Sequence, residues 1–123
     1  MRRALLFVSA LVALAQWGDA APKRVEIVHA PHFITDDTAL TFDVRALPDD
    51  TNRKLTVAAV DEVGYVVRQS DEDLDVRSQI TRRIEWDSLS AGDYELVAQT
   101  FGADEKAIAR DRVHLTVLEW RGP

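Results

Sequence analysis

The sequence predicts an all-β protein, an antiparallel two-layer sandwich of about seven strands, and three observations carry that prediction. Apolar residues recur at every second position through most of the chain, the spacing of strands with one buried face. Turn signals separate these runs at roughly ten-residue intervals, as in small sandwiches. No window of eleven or more residues holds the i, i+3, i+4, i+7 apolar pattern of an amphipathic helix.

The first twenty residues stand apart from this pattern. Arg2 and Arg3 form a positive start, residues 4–17 contain only Ser9 and Gln16 as polar residues, and Gly18-Asp19-Ala20 places small residues at -3 and -1 of a cut before Ala21. This is the layout of a cleaved secretory signal, and the apolar run is shorter than the ~20 residues that span a bilayer. The expectation is therefore a signal peptide at 1–20, a single domain at 21–123, periplasmic or secreted, and a mature form without stable membrane insertion. Without Arg2, Arg3 and Asp19, the remaining 13 basic and 20 acidic residues give a net charge of -7, against -6 for the whole chain.

Within the mature chain each strand has its own signature. Val25 and Ile27 mark a first strand that stops before Pro31, since proline cannot donate to a ladder. Leu40, Phe42, Val44 and Ala46 alternate with Thr41, Asp43 and Arg45. Leu55, Val57 and Ala59 form the next run, and the turn Asp61-Glu62-Val63-Gly64 leads into Tyr65-Val66-Val67-Arg68, a hairpin signal. Ile84 and Trp86 share one face, as do Tyr94, Leu96 and Ala98, and Val113, Leu115 and Val117 make the last run. Residues 103–110 have local helix propensity but too little length for a helix, and are expected to form a turn or loop.

Composition bounds the function. At 123 residues the chain is too short for a TIM barrel or a full dinucleotide-binding enzyme. The absence of cysteine excludes disulfides, a cysteine nucleophile and thiolate zinc sites. The formal charge of -6 argues against a nucleic-acid binder, because a phosphate backbone wants a basic face.

The most distinctive segment is Trp86-Asp87-Ser88-Leu89-Ser90-Ala91-Gly92-Asp93-Tyr94. Its tryptophan, leucine and Ala-Gly-x-Tyr pattern resembles the penultimate hairpin of bacterial immunoglobulin-like and fibronectin type III-like domains. Together with residues 60–68 it is similar to the immunoglobulin-like module of flagellar hook-capping and other secreted bacterial proteins, over about residues 55–117. The resemblance implies an immunoglobulin-like sandwich in which Trp86, Leu89, Gly92 and Tyr94 are structural. The residues support this physically: Gly92 can adopt a positive φ in the turn, and Tyr94 can bury its ring and return its hydroxyl to the corner's backbone.

Candidate chemistry is sparse. His29 and His32 flank Pro31 and are candidate copper or zinc ligands, whereas His114 falls on the polar side of the last strand. Exported copper carriers of similar kind place a histidine at the first mature residue, which here is Ala21. Asp71, Asp73 and Asp75 carry the D-x-D-x-D spacing that opens a calcium loop, but Val76 stands where an EF-hand needs Gly and Arg82 where it needs Glu. An acidic loop could still hold calcium, with Asp36, Asp37, Asp49 and Asp50 as further candidates. Ser70, Ser78, Ser88 and Ser90 lie in or beside predicted loops, outside any nucleophile-elbow pattern, and no glycine-rich phosphate cradle is present.

The reading is an exported, non-catalytic module that contacts a protein partner in the cell envelope and needs no cofactor. The alternative is a periplasmic copper, zinc or calcium binder. Contact regions are expected at residues 65–70, 71–75 and 102–106, and Trp120 near the chain end either caps the sandwich or meets a partner.

Overall fold

The computed structural model describes residues 24–48, 51–74 and 79–122. The proposed signal, Ala21, Asp49, Asp50, Asp75 and Ser78 lie outside the described residues. The described residues form eight strands and no helix: β1 (Val25–Val28), β2 (Phe33–Thr35), β3 (Leu40–Ala46), β4 (Lys54–Asp61), β5 (Val66–Asp73), β6 (Ile80–Trp86), β7 (Gly92–Phe101) and β8 (Ala107–Leu118).

They make two sheets, one of five strands in the order β2-β8-β7-β4-β5 and one of three in the order β1-β3-β6. Every pairing is antiparallel except β2 with β8. The two-residue alternation buries one face of each sheet against the other. Leu40, Phe42 and Val44 of β3 meet Leu55 and Val57 of β4, Leu96 of β7 and Leu115 of β8 in one apolar cluster. Trp86 packs on this cluster with its ring edge-on to Phe42, centroids 5.5 Å apart.

The described residues hold eight strands where about seven were expected; the additional one, β2, is only three residues long, has an exposed Phe33 and shows no buried alternation that a sequence pattern could register. Two local readings need correction. Residues 103–110 are not all loop: the turn occupies 103–106, and Ala107 already pairs with Phe101. The free ladder of β7 recruits these residues into strand despite their helix propensity. Asp71 and Asp73 belong to β5 rather than to an acidic loop, opposite Thr56 and Lys54 of β4, and Ser70 is likewise in that strand.

The chain changes sheets between β1 and β2, through His29-Ala30-Pro31-His32. His29 takes φ 60°, an uncommon conformation for a residue with a Cβ, and Pro31 ends the ladder of the first sheet.

The two lateral seams of the sandwich are closed differently. On the β1 side, Asp111 sits in the inward register of β8 and accepts a 2.8 Å hydrogen bond from the Ile27 backbone N–H. On the β5 side, Glu72 pairs with Arg82, Ser70 accepts from Trp86 Nε1 at 3.2 Å, and Arg68 reaches the Ser88 carbonyl at 3.2 Å. Such inward polar residues protect sheet edges that would otherwise invite pairing.

Candidate interaction surface

The penultimate turn and the β4–β5 hairpin meet at one end of the five-stranded sheet, where Asp61 stands opposite Tyr94. In the penultimate turn, Leu89 and Tyr94 are buried. The Tyr94 hydroxyl donates to the Ser90 carbonyl at 2.6 Å, closing a tyrosine corner. Gly92 has φ 152°, a conformation costly for residues with a Cβ, although a Cβ there would meet nothing nearer than the Tyr94 ring at 3.9 Å. Burial pushes the Tyr94 phenol above its ordinary range, and the Asp61 carboxylate adds to that rise. Trp86 packs against Phe42 at the core, and Leu89, Gly92 and Tyr94 build the turn that follows it.

The hairpin tip is held by the side chain of its first residue. Asp61 Oδ1 accepts from the Val63 N–H at 3.1 Å and the Tyr65 N–H at 2.9 Å. The Gly64 N–H donates to the Asp61 carbonyl at 3.1 Å, and the Asp61 N–H to the Tyr65 carbonyl at 2.9 Å. Gly64 supplies the left-handed backbone, φ 94°, that this turn requires. With the Val63, Gly64 and Tyr65 N–H groups all satisfied by Asp61, the turn holds Val63, Tyr65 and Val66 in solvent, each more than half exposed.

Beside the tip runs a groove of about 340 Å³ lined by Val60, Asp61, Glu62, Asp93, Glu95 and His114, among others. Asp93, His114 and Thr116 form a triangle in this region. Thr116 Oγ1 donates to Asp93 Oδ1 at 2.8 Å, and His114 Nε2 lies 3.2 Å from Thr116 Oγ1 and 3.3 Å from Asp93 Oδ1. The same imidazole nitrogen faces hydroxyl and carboxylate, and the hydroxyl proton goes directly to the carboxylate. A nucleophile-activating relay instead needs one ring nitrogen for each partner. His114 is exposed, as its place on the polar side of β8 implied.

The proposed metal ligands are dispersed. His29 Nδ1 is 3.0 Å from Asp43 Oδ2, and Arg83 Nε donates to Asp43 Oδ1 at 3.2 Å, on the outer face of the three-stranded sheet. The His29 hydrogen bond holds the Asp43 carboxyl below the usual carboxylate range; desolvation works against it and Arg83 adds to it. His32 is exposed, and its carbonyl accepts from the Thr116 N–H in the β2–β8 pairing. Asp71 and Asp73 lie on β5 in the other sheet, where Asp71 accepts from Gln69. Asp36 accepts from the Trp120 N–H and Asp37 from the Thr35 hydroxyl. Among the described residues, no group of three or more His, Asp or Glu side chains converges on a common point.

Of the other expected contact regions, 102–106 is a tight turn with Glu105 at φ 65°, beside a cleft of about 480 Å³. Sequence reasoning missed Phe33 and Leu118, exposed side by side where β2 meets β8. Their only sequence signal was a large apolar residue outside any alternating run.

No family model and no curated protein matches the chain. Solved structures do. The CARDB domain of a Pyrococcus furiosus protein, solved in complex with di-metal ions, aligns with TM-score 0.57 and 13% identity over 80% of this chain and 94% of that one. The fibronectin(III)-like modules of Clostridium thermocellum CbhA align with TM-score 0.55 and 17% identity over 79% of this chain and 99% of theirs. This chain has the immunoglobulin-like β-sandwich fold those domains share.

Proposed function

We propose that the chain is an exported, non-catalytic immunoglobulin-like module that works by protein contact, in the periplasm of a bacterium or outside its cell. The observation that carries this reading is the β4–β5 hairpin tip: three large apolar side chains held in water by a turn whose Val63, Gly64 and Tyr65 N–H groups Asp61 already satisfies. A soluble domain gains no stability from such exposure, and aromatic residues beside a groove are the usual anchors of a protein interface.

Further support comes from three sides. The sequence of residues 1–20 has the layout of a cleaved signal, and the segment 86–94 is similar to secreted bacterial modules, those of hook-capping proteins among them. The Asp93, His114 and Thr116 triangle lacks the geometry of a relay. Small antiparallel sandwiches also serve binding more readily than catalysis, because their end turns present side chains on a rigid frame.

Expression of the whole chain in a bacterium, followed by fractionation and N-terminal sequencing, tests the export part. The expected result is a soluble envelope or secreted protein beginning at Ala21; a cytoplasmic protein that retains Met1 would overturn it. A photo-crosslinking residue at position 65 tests the contact part: a discrete protein adduct is expected, and its absence would overturn this reading.

A further inference from the structure

We propose that the free edge of β2 pairs with the same edge of a second copy of this chain, joining two five-stranded sheets about a two-fold axis through a Phe33–Phe33 pair. This goes beyond the partner contact assigned to the hairpin tip and uses a different surface.

The hydrogen-bond pattern defines the edge. The His32 carbonyl accepts from Thr116 N–H at 2.8 Å, and Asp36 N–H donates to the Leu118 carbonyl at 2.8 Å. In a parallel ladder this register turns the backbone groups of residues 32, 34 and 36 toward β8 and those of 33 and 35 away from it. Phe33 therefore turns both its N–H and its C=O away from β8, to a side where no strand of the described residues pairs with β2. Thr35 presents its N–H, while its carbonyl already accepts from Thr38 N–H at 3.1 Å.

That arrangement is self-complementary. An antiparallel hydrogen-bonded pair exchanges two N–H···O bonds between facing residues, so Phe33 opposite Phe33 satisfies all four groups symmetrically. The same register sets Thr35 against Pro31 of the other copy. Pro31 has no N–H to strand, and the Thr35 carbonyl it would have sought is already occupied. Two such edges thus fit one another without leaving a donor unpaired.

The side chains agree with the backbone. Phe33, Leu118 and Trp120 are each at least half exposed around this edge, and a groove of about 380 Å³ runs past Phe33, Ile34, Thr35, Thr38 and Leu118. None of those groove residues carries a charge, so this is a strip on which two copies of an acidic chain can meet. Pairing sets the two Phe33 rings side by side as a cross-strand aromatic pair.

Area and charge set the strength. Within its own chain Phe33 is already about one-third covered and Trp120 about half, so each copy gains on the order of 200–300 Å² from them, well under the ~800 Å² per partner of a standard interface. Asp36, Asp37 and Glu119 surround the strip, with Arg121 3.6 Å from Glu119, so the rims repel. The dimer is accordingly weak, with a Kd on the order of 0.1 mM, and tightens as salt screens the rims.

Sedimentation equilibrium of the purified chain from about 10 µM to 1 mM, at low and high sodium chloride, tests this. The expected result is a monomer–dimer equilibrium that strengthens with salt. Phe33→Asp, which adds a charge at the exposed centre, should weaken it at least tenfold. Thr35→Pro removes an N–H that the chain's own sheet does not use and should do the same; thermal melts identify which variant remains folded. A monomer throughout, a dimer that weakens with salt, or a dimer unaffected in a folded variant would each overturn the proposal.

Discussion

The chain has two tyrosines, and they sit at the same end of the sandwich in opposite circumstances. Tyr94 is 8% exposed and donates its hydroxyl to Ser90, while Tyr65 is 71% exposed and stands on a turn that Asp61 has already wired shut. One turn uses its aromatic residue to close the core; the other uses internal hydrogen bonds to hold an aromatic residue away from it. The difference teaches that hydrogen-bonded order in a turn says little about burial. A turn can be rigid in order to fold, or rigid in order to present.

Substitutions can break or sharpen that contrast, beginning with the largest effect. Tyr94→Ala removes a buried ring and leaves a cavity beside Leu96 and Leu89, so urea unfolding should show a loss of about 3–5 kcal/mol. Asp111→Ala strips the Ile27 N–H of its acceptor at the β1 seam and should cost about 1–3 kcal/mol in the same assay. Tyr94→Phe keeps the ring and deletes only the bond to Ser90, with an expected loss of about 1 kcal/mol. Tyr65→Ser should fall within about 0.5 kcal/mol of the parent, because nothing in the core depends on it. Equal losses for Tyr65→Ser and Tyr94→Phe would erase the contrast.

A pH titration adds a check on Tyr94 alone. Burial and the Asp61 carboxylate raise its phenol above the ordinary 10.0, so the unfolded chain gives up this proton first. Its contribution to stability is complete below pH 10 and is lost as pH rises toward the raised value. Denaturation midpoints measured between pH 8 and 11 should fall at the alkaline end, and Tyr94→Phe should flatten that fall.

Much of the frame was legible because β3 and β7 bury every second residue and leave those between more open, so composition alternates where structure does. The Ala-Gly-x-Tyr segment was legible because a corner needs a permissive backbone and a buried hydroxyl at fixed spacing. Asp111 was not: it occupies an inward position of β8, and its reason for being there is the Ile27 amide, 84 residues away in sequence. The strand at Asp71 and Asp73 was hidden for a related cause. Its acidic residues look like a solvated loop until Thr56 and Lys54 are known to lie opposite. The hairpin turn and a contact region from Tyr65 onward were visible in the sequence, but the exposure of Val63 was not, since an apolar residue inside a turn reads equally well as the start of a buried strand.

The most direct test of the central claim, that the β4–β5 tip is a contact surface, is photo-crosslinking in the producing cell. A photoreactive aromatic residue replaces Tyr65 in one version of the chain and exposed Gln69, farther along β5, in another. The account predicts a discrete protein adduct from position 65 that disappears when Val63→Asp and Val66→Asp are added to a chain of unchanged melting temperature. No adduct from position 65, or the same adducts from both positions regardless of those substitutions, would contradict it.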